Sequence, residues 1–188
     1  MNDTASATTD KAHNTRCTNG WRIAGWGALG ALLALPAIAM QLTGEVQWTT
    51  SDFIAAAVML VLLGAGIELG FHFCREGLHR AGAVLSAFVA FLTIWIDIAV
   101  GIIGDGPINL AFYAMLLAAL VAAILARFRA AAAMWIAATL GFGQLAVGLA
   151  AELGGYPDWF GPVFFAAWWA LVALLFGKAA AEHKSTAA

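Results

Sequence analysis

Charged residues are scarce in this sequence: Asp, Glu, Lys and Arg together make up 11% of its 188 residues. Hydrophobic residues reach 63%. A soluble domain carries about 25% charged and about 45–50% apolar residues. A chain of this length cannot bury the apolar excess, because a small domain leaves much of its surface exposed. The composition therefore excludes an ordinary soluble domain and predicts a protein that lies largely in lipid.

Cysteines, cofactor motifs and catalytic motifs are also rare or missing. Cys17 and Cys74 are the only cysteines, and both are predicted to face the reducing cytoplasm, so we expect no structural disulfide. The sequence has no P-loop, Gly-rich dinucleotide loop or nucleophile motif. We therefore predict no enzyme activity, no catalytic residue and no cofactor. The net charge of −2 gives no indication of a nucleic-acid partner.

Six stretches contain the roughly 20 apolar residues that a membrane-crossing helix needs. They are about 21–42, 53–74, 81–103, 107–127, 131–153 and 160–180. The sequence therefore predicts an all-α integral membrane bundle of six transmembrane helices over residues 21–180. Residues 1–20 are polar without hydrophobic periodicity, which predicts a disordered cytoplasmic tail. Residues 181–188 are predicted to form a second cytoplasmic tail.

All nine basic residues fall on one side of these predicted helices. They are Lys11, Arg16, Arg22, Arg75, Arg80, Arg127, Arg129, Lys178 and Lys184. The opposite side carries acids and no Lys or Arg: Glu45, Asp52, Asp105, Glu152 and Asp158. Because basic loops stay in the cytoplasm, the pattern predicts that both termini are cytoplasmic.

One alternative concerns the first span. Basic residues, an apolar run and then Ala37-Ile38-Ala39 resemble a signal peptide with its cleavage site. Cleavage there would leave five spans and an external N-terminus. The apolar run is long for a signal peptide, so we predict a retained span.

Similar motifs close the third and fifth spans, which indicates three antiparallel helical hairpins. Ala99-Val-Gly-Ile-Ile-Gly104 resembles Ala146-Val-Gly-Leu-Ala-Ala151, and an acidic residue follows each motif. Asp97 and Gln144 stand two residues before these motifs and so occupy equivalent places. Repeated hairpins often form pseudo-symmetric membrane bundles. Chance recurrence of Ala, Val, Gly and Leu in so apolar a chain is the competing explanation.

Apart from Glu152 at the very end of the fifth span, only two carboxylates, Glu68 and Asp97, fall inside the predicted spans. A charge at the bilayer centre costs at least about 2.5–3.5 kcal/mol, so such residues are candidate functional sites. The two lie at opposite depths, separated by on the order of 10 Å along the helix axes. They are candidates for a proton or cation path with Gln144. The alternative is a structural role as helix-to-helix hydrogen bonds, with His72 as a local partner of Glu68.

His72, Cys74 and His79 gather near one predicted turn, and His13 or Cys17 could join them. Their spacing matches no zinc or copper motif, so no metal site is predicted. Trp95, Trp168 and Trp169 are candidates for a ligand pocket, although packed or lipid-facing positions are the commoner use of tryptophan in such a chain.

Several segments together resemble a group of small, uncharacterised bacterial inner-membrane proteins. The resemblance covers about residues 22–153. The segments are Ala39-Met-Gln-Leu-Thr-Gly-Glu-Val-Gln-Trp-Thr49, Asp52-Phe53, Glu68-Leu69, Ala99–Gly104, Asn109-Leu110 and Ala126-Arg127-Phe128. The likeness implies a multi-pass inner-membrane location but no activity. Where that group carries Asn in the third span this chain has Asp97, whereas Glu68 matches the group.

Two functions follow from these observations. The first is a non-catalytic membrane accessory or stress-related protein, with lipid and self-association or another membrane protein as partners. The second is a small proton- or cation-coupled channel or transporter that uses Glu68 and Asp97.

Overall fold

The computed structural model is all-α and contains six long helices. It describes the backbone of residues 3–74, 76–104 and 106–185, and the side chains from Gly20 onward within these ranges except that of Lys184. The helices are α1 (Asp3–Leu42), α2 (Thr50–Phe73), α3 (Gly77–Val100), α4 (Leu110–Leu125), α5 (Ala130–Leu153) and α6 (Phe160–Ser185). A single 3-10 turn at Pro107–Asn109 precedes α4.

Each helix contains a segment long and apolar enough to cross a membrane. The segments are Gly20–Leu42, Thr50–Phe73, Gly77–Val100, Pro107–Leu125, Ala130–Leu153 and Phe160–His183. Large apolar side chains such as Trp135 and Phe142 are 68% and 75% exposed, which is the expected arrangement for surfaces that contact lipid. The chain is therefore a polytopic membrane protein. The predicted spans agree with these segments within four residues.

Residues 1–64 form one of two compact parts of the chain. Within this part, a Cβ atom added at Gly64 of α2 would lie 2.9 Å from both Trp26 and Leu29 of α1, so the missing side chain lets the two helices approach closely. At the start of α2, the Thr49 N–H donates to Asp52 Oδ2 at 2.7 Å. This contact caps the helix, which begins at Thr50, three residues before the predicted start at about residue 53.

The N-terminal side of α1 extends beyond its apolar part, because the backbone is helical from Asp3. The predicted disorder of residues 1–20 stays a prediction about their behaviour in solution. The side chains of Lys11, His13, Arg16 and Cys17 lie outside the described residues, as do Arg75, Asp105 and the side chain of Lys184.

Residues 65–188 form the second compact part, in which α5 packs most extensively against α6, and α6 also packs against α3. Glycines make these contacts close. A Cβ atom at Gly82 of α3 would lie 2.9 Å from the Phe176 ring of α6, and one at Gly148 of α5 would lie 3.0 Å from Pro162 of α6. The buried core lies between these helices and includes Val89, Phe112, Leu140, Phe165, Trp169 and Val172.

Helices α3 to α6 have an acidic end and a basic end. The acidic end comprises the α3–α4 connection at residues 101–109 and the α5–α6 connection at residues 154–159. The basic end comprises residues 74–76, the α4–α5 turn at residues 126–129 and the last turn of α6. Helix α3 ends at Val100, three residues earlier than the sequence indicates, because the chain turns at Gly101.

Candidate functional site

Glu68 lies on the face of α2 that points away from α3. The contact between these helices is made by Gly66 and Gly70, where an added Cβ atom would lie 3.0 Å from Ala87 and Ala83 respectively. Glu68 is midway between the two glycines, so it is rotated about 180° from their common face. It is partly buried and has an interaction partner. The α2–α3 contact therefore excludes Glu68 from the interior on the α3 side.

Asp97 lies in the last turn of α3 and holds the chain reversal that follows. Its Oδ1 accepts a hydrogen bond from the Ile102 N–H at 3.2 Å, and its backbone oxygen accepts one from the Gly101 N–H at 3.0 Å. The Asp97 side chain also interacts with the Tyr113 hydroxyl of α4. Asp97 thus holds the chain reversal after α3 and lies beside the start of α4.

The two carboxylates are farther apart than expected from the sequence. The point of α3 opposite Glu68 is Leu85, midway between Ala83 and Ala87. Asp97 is twelve residues further along α3, which is roughly 18 Å along the helix axis. The separation exceeds the expected 10 Å because α3 ends at Val100, so Asp97 is closer to the helix end than the predicted span implies.

Asn109 holds the rest of the α3–α4 connection. Its Oδ1 accepts from the Ile103 N–H at 3.1 Å, and its Nδ2 donates to the Gly104 carbonyl at 2.6 Å. Asn109, Ile102 and Ile103 are buried. A Cβ atom at Gly161 of α6 would lie 2.7 Å from Ile102 Cγ2, so the connection packs against the start of α6. The α3–α4 connection is therefore held by hydrogen bonds of its buried residues Ile103 and Asn109.

Gln144 lies in the middle of the core with its side chain fully buried. Neither of its amide atoms has a hydrogen-bond partner within the part of the chain that the structure describes. It is nine residues before the end of α5, whereas Asp97 is three residues before the end of α3. The two positions that the repeat makes equivalent are therefore at different depths, since the Ala99–Gly104 motif crosses a helix end and the Ala146–Ala151 motif does not.

Thr93 of α3 lies at about the same depth as Gln144. Gly82 of α3 contacts Phe176 of α6. Thr93 lies eleven residues after Gly82, and Phe165 lies eleven residues before Phe176. Because α3 and α6 are antiparallel, Thr93 and Phe165 are at the same level. The contact of Gly148 with Pro162 puts Gln144 level with Ala166. Thr93 is buried, and its hydroxyl donates to the Val89 carbonyl at 2.8 Å. Polar groups thus extend from Asp97 through Thr93 to Gln144 in the acidic half of the core.

The histidines and the cysteine of the predicted turn do not gather into one site. His72 is exposed and contacts the Phe73 ring edge to face. His79 Nε2 donates to the Phe128 carbonyl of the α4–α5 turn at 3.0 Å, and Arg80 Nε donates to the Cys74 carbonyl at 2.7 Å. Burial raises the pKa of the Cys74 thiol, and the Arg80 charge opposes this shift in part. These residues stabilise the basic end.

Of the three tryptophans considered as pocket residues, Trp169 is buried in the core, while Trp95 and Trp168 are partly buried. The indole N–H of Trp169 has no hydrogen-bond partner among the described residues.

Sequence reasoning assigned no role to Thr93, Asn109 and Tyr113. Thr93 carried a usable signal, because it lies four residues before Asp97 and so on the same face of α3. Comparison with known proteins adds no assignment: no protein-family model, no curated protein and no solved structure matches this chain.

Proposed function

We propose that this chain is a non-catalytic accessory protein of the bacterial inner membrane that assists or stabilises other membrane components, including under envelope stress. The observation that supports this proposal is the separation of Glu68 and Asp97. They lie roughly 18 Å apart along the helix axes, and the glycine face of α2 packs on α3 with Glu68 on its far side. A path for protons or cations that uses both groups needs them in one interior.

The contacts of Asp97 support the same proposal. Its side chain accepts a hydrogen bond from the Ile102 amide in the chain reversal after α3, and it interacts with the Tyr113 hydroxyl on the next helix. A carboxylate that satisfies a backbone group and lies between two helices has a structural role that requires no substrate. We assign the protein no catalytic residue and no cofactor.

The membrane and its orientation are part of the proposal. The nine-to-none distribution of basic residues favours cytoplasmic termini, and the resemblance to small bacterial inner-membrane proteins favours that membrane. Reporter enzymes fused after His183 and within residues 154–159 test the orientation. We expect activity of a cytoplasmic reporter only at the first position and of a periplasmic reporter only at the second.

A flux assay in proteoliposomes tests the accessory role. We expect proton, sodium and potassium flux no higher than in protein-free liposomes for the wild type and for Glu68→Gln and Asp97→Asn. Wild-type flux that either substitution removes would overturn the proposal and establish transport. An unrelated six-span protein reconstituted at equal density controls for leak.

The alternative function is a small proton- or cation-coupled channel or transporter. The observation that favours it is the series of polar side chains in the acidic half of the core, from Asp97 through Thr93 to Gln144. Six spans enclose little volume, so a transporter of this size needs self-association. Crosslinking in native membranes distinguishes a self-associated form from a complex with another membrane protein.

A further inference from the structure

Gln144 carries unused hydrogen-bonding capacity in the core of the membrane domain. Its side-chain amide offers two N–H donors and one carbonyl acceptor. The side chain is 0% exposed, and both polar atoms lack a partner among the described residues. Because lipid and apolar side chains cannot replace water as partners, such a group requires a polar occupant beside it.

Trp169 of α6 provides a second, independent observation at the same place. Its ring is buried, and its indole N–H is likewise without a partner in the described part of the chain. A Cβ atom at Gly141 of α5 would lie 3.6 Å from Trp169 Cβ, so Trp169 packs one helical turn from Gln144.

Helix geometry indicates how the two side chains are oriented. Side chains on a helix lean toward its N-terminus. Helices α5 and α6 are antiparallel, so we expect Gln144 to lean toward the level of Gly141 and Trp169 to lean toward the level of Gln144. Gly141 has no side chain to separate them. We therefore expect the polar atoms of both residues to lie near each other beside Gly141.

The residues around this space limit what it can hold. Leu140, Phe165 and Val172 are buried in the same core cluster as Trp169, and none carries a charge. Close-packed apolar walls favour a small, neutral molecule that both accepts and donates hydrogen bonds. Buried water makes about three hydrogen bonds in proteins and satisfies such groups.

We propose that Gln144 and Trp169 bind one water molecule between α5 and α6. The water oxygen accepts from the Trp169 indole N–H and from one Gln144 N–H, and one water hydrogen donates to Gln144 Oε1. The three bonds give a partner to the Trp169 N–H, to one Gln144 N–H and to Gln144 Oε1, and they leave the second Gln144 N–H and the second water hydrogen unassigned. The site is formed by this chain's own residues and is independent of whether the protein transports an ion.

Nuclear magnetic resonance of the labelled full chain in lipid nanodiscs tests the site. We expect cross-peaks to water from both the Trp169 indole N–H and the Gln144 amide, with the sign of a long-lived bound water. Gln144→Met keeps the length of the side chain and removes its polar atoms, so it should reduce the Trp169 cross-peak at least fivefold. Trp168→Phe, at a partly buried neighbour, should leave both signals unchanged.

Three results would overturn the inference. The first is the absence of both water cross-peaks in the wild type, which would show that no long-lived water lies between Gln144 and Trp169. The second is a Trp169 cross-peak that Gln144→Met leaves unchanged. The third applies if Gln144→Met does not fold: Trp169→Phe should then reduce the Gln144 cross-peak at least twofold, and an undiminished peak would contradict the shared site.

Discussion

The two ends of helices α3 to α6 solve the same problem, the connection of antiparallel helices, with different chemistry. At the acidic end, Ile102, Ile103 and Asn109 of the 101–109 connection are buried, and the Asp97 and Asn109 side chains hydrogen-bond to its backbone. At the basic end, Arg127 and Arg129 of the α4–α5 turn are exposed, and the side chains of His79 and Arg80 donate to backbone carbonyls. An unsatisfied polar group costs more where water cannot reach it, so substitutions that unpair the buried residues of the 101–109 connection should have the larger effects.

The largest difference is expected between Gly101→Ala and Gly104→Ala. Gly101 has φ +74°, and a Cβ atom there would collide with the Gly104 carbonyl oxygen. Gly104 has φ +56°, but no described atom lies within 4 Å of its added Cβ. We expect Gly101→Ala to lower the free energy of unfolding by at least about 3 kcal/mol and Gly104→Ala by about 1 kcal/mol. Denaturant titration in mixed micelles measures both, and equal effects would contradict the account of the turn.

Asn109→Ala should have the next largest effect. The substitution leaves the Ile103 N–H and the Gly104 carbonyl without their side-chain partner. We expect the free energy of unfolding to fall by about 2–3 kcal/mol. Leu110→Ala, at a neighbouring side chain that is 65% exposed, is the control and should change it by about 0.5 kcal/mol. A loss no larger than the control's would show that Asn109 does not hold the connection.

At the basic end, His79→Phe should have a smaller effect. The variant keeps a ring against Phe176 but removes the donor to the Phe128 carbonyl. Because water can reach this turn more easily, we expect a loss of about 1 kcal/mol in the same titration. His72→Phe, at an exposed histidine, should change the free energy little. A loss above that of Asn109→Ala would reverse the comparison between the two ends.

The smallest effect is expected at the contact between Glu76 and His183, which joins the start of α3 to the end of α6 at 2.6 Å. Both side chains are exposed, so we expect Glu76→Gln to lower the free energy of unfolding by less than about 0.5 kcal/mol. Salt at about 1 M should reduce that difference, since the screening length falls to roughly 3 Å, close to the separation of the two groups. A salt-independent loss would point to a role other than charge attraction.

The sequence predicted the helices well because lipid imposes a simple requirement on length and polarity. It did not predict the acidic end. From hydropathy, Ile102 and Ile103 are indistinguishable from a continuation of α3, because isoleucine has the same hydropathy in a buried connection and in a membrane helix. The turn depends on the backbone conformation of Gly101 and on the hydrogen bonds of Asn109, which hydropathy does not report.

The sequence predicted the arrangement of the candidate residues less well than it predicted the helices. Glu68 and Asp97 were evident as intramembrane charges, and Gln144 followed from the repeat. Their relation was not predictable, because it depends on which face of α2 contacts α3 and on where α3 ends. The expected proximity of Trp169 to Gln144 depends on the antiparallel packing of α5 and α6 at Gly141.

The separation of Glu68 and Asp97 is the central claim, and a double-mutant cycle tests it most directly. Free energies of unfolding are measured for the wild type, Glu68→Gln, Asp97→Asn and the double variant. Groups in separate surroundings have additive effects, so the account predicts a coupling energy below about 0.5 kcal/mol. A coupling energy above about 1 kcal/mol would show that the two carboxylates share one interior, and would contradict the account.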